Sequence, residues 1–519
     1  MTSLVSLPVE LVTKIVSYVP RRDLATLRLT CRTLKEIVTP YYFSTVPIYP
    51  EWNEDEAPDP PFPNHIDYES RYMRNILDDK HLKKLVKKIQ IYTCNPDCDH
   101  HPHWVHHGGS LRLYGGFMPQ PSMSDDWEEV YNRIPEFPKL NSVSLIFDRH
   151  AANNDRMYGE EELQGPDERI SGVRQLLRLL GKRIEDLSIR HMQLNTWVGR
   201  GNEFQNDPEV PTDLELKNVV LAGLKALRMN VVHLQPHGES GTVYKVTNCH
   251  GEWAEFPSFW LAPAVNLRHL TLYSDVPFGW FPKLDLRSVH FAQLETLALG
   301  QFIFANDSPF EWITKHSSTL KELYLDHCSI LYQHGATYRK HEWLDEEGYP
   351  ISEPEPLYSS VYTYAREKVI SFGSYAKRWH EVFSHFSNTL EQLHTFRFGS
   401  SAQWKFDVVN RYDDGSPGMP IMPWESERDL QNDIFPERYL VWNDFEDEYV
   451  TEWRESTDGD VSDPKTWDEE DYKRFESYPD CTDEDKDALR EFLIKIGMPN
   501  GDRIRVSEMR PNRYRYDDE

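Results

Sequence analysis

The chain has 519 residues, 39% of them hydrophobic and 13% aromatic, enough apolar material to exclude wholesale disorder. Its net charge of −28 argues against nucleic-acid binding as the main business, because phosphate recognition needs a concentrated basic face. Six scattered cysteines make no disulfide framework and suit a reducing compartment, and no apolar run approaches the roughly 18 residues that span a bilayer. Pro8 and Glu10 interrupt the N-terminal apolar stretch, so no signal peptide is expected and the location predicted is cytoplasmic, nuclear or both.

The first predicted helix starts at Pro8, whose missing N–H costs nothing in a first turn. It carries two adjoining apolar stripes. Leu11, Ile15 and Tyr18 sit at i, i+4 and i+7, and Val12, Val16 and Val19 repeat that spacing one position on, with Val9 beside them. One stripe suffices to pack a helix on its own domain; the second is left for another partner. A second helix is expected from Asp23 through Leu24, Leu27 and Leu29, and a third through Cys31, Leu34, Ile37 and Val38, ended by Pro40. Leu29, Leu34 and Ile37 are assigned to the contacts among these helices. Three short helices bury too little to stand alone, which points to a docking module.

PEWNEDEAPDPPFPNH (50–65) is too rich in proline and acid for regular structure, and a linker is placed at 48–75. A six-residue pattern with apolar positions 1, 4 and 6 then recurs. Its clearest copies are LRHLTL (267–272), LETLAL (294–299) and LKELYL (320–325), whose starts lie 27 and 26 residues apart. VKKIQI (86–91), LNSVSL (140–145), IEDLSI (184–189) and LKALRM (224–229) are weaker copies at wider spacing, and LEQLHTFRF (390–398) slips by one residue. Positions 4 and 6 straddle one residue, as in a short strand with one buried face. FEWITKHSSTLKEL (310–323) and RWHEVFSHFSNTLEQL (378–393) echo each other as helix, turn and strand. Such units bury by stacking what none could bury alone.

The array is therefore drawn over 76–403, with an insertion at 331–373. Beyond it, residues 444–486 hold 18 acidic and 5 basic side chains, usually a solvated block, though Trp453, Trp467, Tyr472 and Phe475 interrupt it. A terminal helix is expected near 483–496, with Thr482 as its cap, Asp485 in the capping-box position, Gly497 closing it, and Leu489, Phe492, Leu493 and Ile496 as its apolar stripe.

CNPDCDHHPHWVHH offers Cys94, Cys98, His100, His101, His103, His106 and His107, donor types that can hold zinc. The histidines follow the cysteines at once, with no element between to build a closed shell, and a His-rich loop is preferred; no metal or cofactor is assigned. No phosphate loop, H-E-x-x-H, G-x-S-x-G or G-x-G-x-x-G occurs, and no enzymatic activity is expected.

The stretch LPVELVTKIVSYVPRRDLATLRLTCRTLKEI (7–37) resembles the F-box, at Leu7-Pro8, Glu10-Leu11, Ile15, Tyr18, Asp23-Leu24, Leu27, Cys31-Arg32, Leu34 and Ile37, and the layout is similar to that of F-box proteins of filamentous-fungal type. Val19 replaces the more usual Leu, and Leu34 stands near a frequent aromatic. The implied fold is mixed α/β: a three-helix F-box at 1–47, then an irregular leucine-rich-repeat-like α/β solenoid and an acidic C-terminal region at 404–519. The resemblance implies docking on the Skp-family adaptor of an SCF cullin–RING ubiquitin ligase, with Leu7, Pro8, Leu11, Ile15, Tyr18, Leu24 and Leu27 as adaptor contacts and the array holding a protein substrate. Arg190, Arg228, Tyr273, Tyr324 and Asp326, with His269 and Glu322, are the expected residues of the array's open face. The rival is an F-box scaffold outside any ligase.

Overall fold

The computed structural model describes residues 7–19, 21–48, 67–92, 125–146, 177, 179–192, 216–231, 253–337, 370–401, 430–443, 448–450, 477–498 and 503–507. The Cys94–His107 loop and most of 404–476 lie outside them. The chain divides into two compact units, one comprising 1–148, 162–191 and 199–226, the other 149–161, 192–198 and 227–519. No helix among the described residues is long and apolar enough to cross a membrane.

The first unit opens with α1 (Val9–Val16), α2 (Arg21–Thr30) and α3 (Arg32–Tyr42). Pro40 does not end α3. It occupies the last turn, and the chain runs on to Tyr42. Two residues later it enters β1 (Thr45–Ile48), which pairs in parallel with β2 (Lys88–Tyr92). The expected linker at 48–75 is thus bounded by a strand, and α4 (Asp67–Asp78) takes up its end. Tyr72, Met73, Ile76 and Leu77 lay too close to the proline-rich run to declare a helix from pattern alone. Beyond β2 come α5 (Asp125–Arg133), β3 (Ser142–Ile146) and β4 (Asp186–Met192); β2, β3 and β4 are parallel neighbours. β5 (Ala226–Val231) contains the point where the chain leaves this unit.

The second unit has β6 (His269–Phe278), β7 (Thr296–Phe304) and β8 (Glu322–Asp326) in parallel succession. After β9 (Ser329–Thr337) and β10 (Ile370–Ser374), the helix α7 (Trp379–Thr389) leads to β11 (Thr395–Gly399), which joins β8 in parallel; α6 (Ser308–Thr314) precedes β8 in the same way. The ends of the expected insertion at 331–373 pair with each other, β10 antiparallel to β9. Past 404 further strands follow: β12 (Asp433–Ile434) pairs with β15 (Arg505–Val506) as a separate two-stranded sheet, and β13 (Tyr439–Asn443) runs parallel to β9, with β14 (Glu448–Val450) antiparallel beside it.

All eight copies of the six-residue pattern lead into strands, and their apolar positions are buried. Leu267, Leu270 and Leu272 are all at 1% exposure or less, as are Leu294, Leu297 and Leu299. Register aligns like with like. Ile89, Val143 and Leu187 are opposite one another, and so are Leu270, Leu297, Leu323 and Phe396. The backbone repeats as faithfully. The Lys87 carbonyl accepts both the Asn141 and Ser142 N–H groups, the Asn141 carbonyl those of Glu185 and Asp186, and the Glu185 carbonyl those of Lys225 and Ala226. The Arg268, Glu295 and Lys321 carbonyls do the same in the second unit. Each strand of these parallel runs is therefore registered on its neighbour at its leading end.

Two non-glycine residues in the left-handed region, Gln301 (φ 60°) and His327 (φ 53°), follow register partners Gly300 and Asp326. That conformation is uncommon outside glycine. Here it re-aims two adjacent strands together, so that β7 leaves β8 and pairs with β9 through Ile303 and Phe304. The interior of this unit is aromatic, with Trp253, Trp260, Trp280, Trp312, Trp379 and Trp442 all buried.

Helix α8 (Thr482–Lys495) buries Leu489, Phe492 and Leu493, with Phe492 against Phe396 at 4.9 Å. Gly497 (φ 74°) and the Met498 N–H donated to the Leu493 carbonyl close it. Its start departs from expectation: neither Thr482 nor Asp485 caps it. Cys481 is at the cap position but its side chain makes no capping bond, and Asp485 is turned inward.

Candidate functional site

The N-terminal helices separate the two stripes of α1. Val12 and Val16 are 2% and 1% exposed and form a core with Leu24, Leu34 and Val38. Leu7, Val19, Leu27, Cys31, Ile37, Tyr41 and Tyr42 pack around it. The other stripe stays outside: Leu11 is 49% exposed, Ile15 41% and Tyr18 79%. Val9 and Leu29 are exposed as well, and so is Pro8. A single exposed leucine is ordinary; a row of large apolar side chains along one helix marks a contact surface.

Two expectations change here. Leu24, expected on the outer face, belongs to the core because its position on α2 faces Val12 and Val16, and Leu27 is half-buried against that core. Leu29, expected inside, is 86% exposed. Arg28 lies 4.7 Å from the ring centres of both Tyr42 and Phe43, a cation–π contact that ties α2 to the end of α3.

The F-box domain family matches residues 4–43, the segment that holds these three helices. The chain carries an F-box domain. F-box domains generally bind Skp-family adaptors, and this F-box presents Leu11, Ile15 and Tyr18 outward from a core it has already closed. No curated protein matches the chain.

The second set of expected site residues fares differently. Tyr273 and Tyr324 are each 1% exposed and cluster with Ala298, and Asp326 is 1% exposed. They are not on an open face. The Tyr273 hydroxyl donates to Asp326 Oδ2 at 3.4 Å, and the Ser401 N–H donates to Asp326 Oδ1 at 2.9 Å. Gly300 makes this possible, since a Cβ there would fall 2.0 Å from the Tyr273 ring. Arg190 and Arg228 are half-buried, each on its own unit, and so are His269 and Glu322.

One cluster in the second unit was not foreseen as such. Asp485, fully buried, accepts the His380 backbone N–H at 2.9 Å, Arg438 Nε at 2.9 Å and the Tyr439 hydroxyl at 3.0 Å. It caps the first turn of α7 instead of its own helix. His380, Cys481 and Asp485 together offer three donor atoms within 4.8 Å, types that zinc accepts. The charge of Asp485 is however already met by Arg438, itself 3% exposed, and burial pushes the Cys481 thiol up to about 11, away from thiolate. This chemistry is that of an ion-paired junction fastening α8 to α7 and β13. The only sequence signal was an acid in the first turn of a helix, which pattern assigns to capping.

Proposed function

We propose that this F-box protein is a substrate-receptor subunit of an SCF-type cullin–RING ubiquitin ligase, the F-box docking the Skp-family adaptor and a leucine-rich-repeat-like solenoid holding a protein substrate. The observation that carries the proposal is the outward stripe of Leu11, Ile15 and Tyr18 on a module that matches the F-box domain. Helix-in-groove recognition uses apolar anchors at this spacing. Leu7 and Pro8 begin the same face, Leu7 half-buried and Pro8 exposed.

The chain then supplies no catalytic group. Ubiquitin transfer is accelerated because a bound substrate's lysine is held at high effective concentration near the charged enzyme. Only two residues separate α3 from β1, so the F-box continues directly into the strands of its own unit, as a rigid presentation of substrate requires. Arg190 and Arg228 remain substrate-contact candidates by their partial exposure.

Affinity purification of the full chain tests the proposal. Adaptor and cullin should co-purify with the wild type and be lost together from a Leu11→Ala/Ile15→Ala/Tyr18→Ala variant. Adaptor without cullin, or equal recovery from both proteins, would refute the ligase role.

A further inference from the structure

The first unit leaves a row of ammonium groups unpaired in a chain dominated by acid. Lys80, Lys84, Lys87, Lys139 and Lys182 are all exposed, and none has an ion-pair partner among the described residues. They come from three successive repeats at one edge. Lys84 ends the short turn before β2, Lys139 follows the turn before β3, and Lys182 lies in the turn before β4. The paired carbonyl contacts place Lys87, Asn141 and Glu185 at equivalent steps of that edge.

Neighbouring strands are about 4.8 Å apart, so the row extends about 10 Å, comparable with the screening length of about 8 Å at physiological salt. The charges therefore act as one field. The nearby carboxylates are already engaged. Glu136 is held by Lys83 and Arg133, Asp78 by Arg133, and Glu185 by Lys225. Asp79 accepts the His81 and Leu82 N–H groups of its own turn. Among the described residues no carboxylate is ion-paired with any of the five.

We infer that this lysine edge is a docking surface for an acidic polypeptide segment of a partner protein. Its chemistry fits that occupant better than a nucleic acid. The five cations of this edge are lysines, point charges with no planar fork for phosphate. Arg183 is turned back to the Pro135 and Phe137 carbonyls, and among the described residues the neighbouring rings of Tyr131 and Phe137 are buried and offer no platform for bases.

The test is fluorescence anisotropy of the full chain with a labelled polyglutamate peptide, an uncharged polyglutamine control and a short single-stranded oligonucleotide, at low and physiological salt. Polyglutamate should bind with salt-sensitive affinity. A Lys84→Glu/Lys139→Glu/Lys182→Glu variant should bind about tenfold more weakly, the Gln counterpart should fall between, and Lys315→Glu in the second unit should change nothing. Circular dichroism checks that the variants fold. The Leu11→Ala/Ile15→Ala/Tyr18→Ala variant should bind the peptide like the wild type, which separates this surface from adaptor docking. Absence of peptide binding, equal binding by the triple Glu variant, or oligonucleotide binding as tight as polyglutamate would overturn the inference.

Discussion

Leu11 and Val12 are adjacent in the sequence and face opposite environments, one 49% exposed and the other sealed at 2%. The helix turns about 100° per residue, so a one-position offset between two apolar stripes is enough to divide core from contact surface. That division makes the two stripes separable by mutation. Leu11→Ala or Ile15→Ala should weaken adaptor binding by about 2 kcal/mol each, as hot-spot anchors do, with the thermal midpoint unchanged. Val12→Ala or Val16→Ala should instead destabilise the three-helix module by about 2 kcal/mol. Calorimetric titration with the adaptor, beside thermal unfolding of the same variants, distinguishes the two responses.

The Arg438–Asp485 pair should behave as a buried ion pair does when one partner is removed. Asp485→Ala leaves Arg438 charged and without its carboxylate, the His380 N–H uncapped and the Tyr439 hydroxyl short of an acceptor. A loss of about 3–5 kcal/mol is expected. Hydrogen exchange should rise first in α8 and in the opening turn of α7, with the F-box helices unaffected.

His316 gives a pH dependence with a definite sign. Its Nδ1 lies 2.9 Å from the Trp312 carbonyl and so donates, while Nε2 accepts the Phe291 N–H at 3.2 Å. Only the neutral ring satisfies both. Burial first, with the nearby His290, holds its pKa down to about 4. A base depressed in the folded state contributes stability that is complete above its unfolded value of about 6.5 and declines as pH falls toward 4. The decline should amount to about 3 kcal/mol at most, and chemical denaturation at several pH values would show a shallower slope in His316→Asn over that window.

Gly300 and Tyr273 should couple. Gly300→Ala drives a methyl into the Tyr273 ring and should cost about 1–3 kcal/mol. In a Tyr273→Ala background the clash is gone, so the same substitution should be far milder. A double-mutant cycle by urea unfolding measures the difference.

The strand-forming repeats were visible in the sequence because each copy commits three apolar side chains to one face, a pattern that survives even in VKKIQI, where lysines fill the remaining positions. The F-box was visible for the same reason, through Leu11, Ile15 and Tyr18 beside the valines. What escaped depends on contacts distant in the chain. Tyr273 and Tyr324 alternate with leucines as exposed residues do, and nothing near them announces that Gly300 and Ala298 on the intervening strand open room for their rings. Asp485 meets Arg438 across 47 positions, so local pattern could only offer a cap. β9 and β13 mix polar with apolar residues, as in SILYQHGAT, and fall into register only because Gln301 and His327 redirect the strands before them.

The doubly accepting carbonyls at Lys87, Asn141, Glu185, Arg268, Glu295 and Lys321 have a consequence for how such a protein changes over time. Because each strand of these two parallel runs is anchored to its neighbour where it begins, the register of a pair is set at that point and not by the length of the peptide between them. Change in sequence and length can thus accumulate in the connections while the strands keep their places.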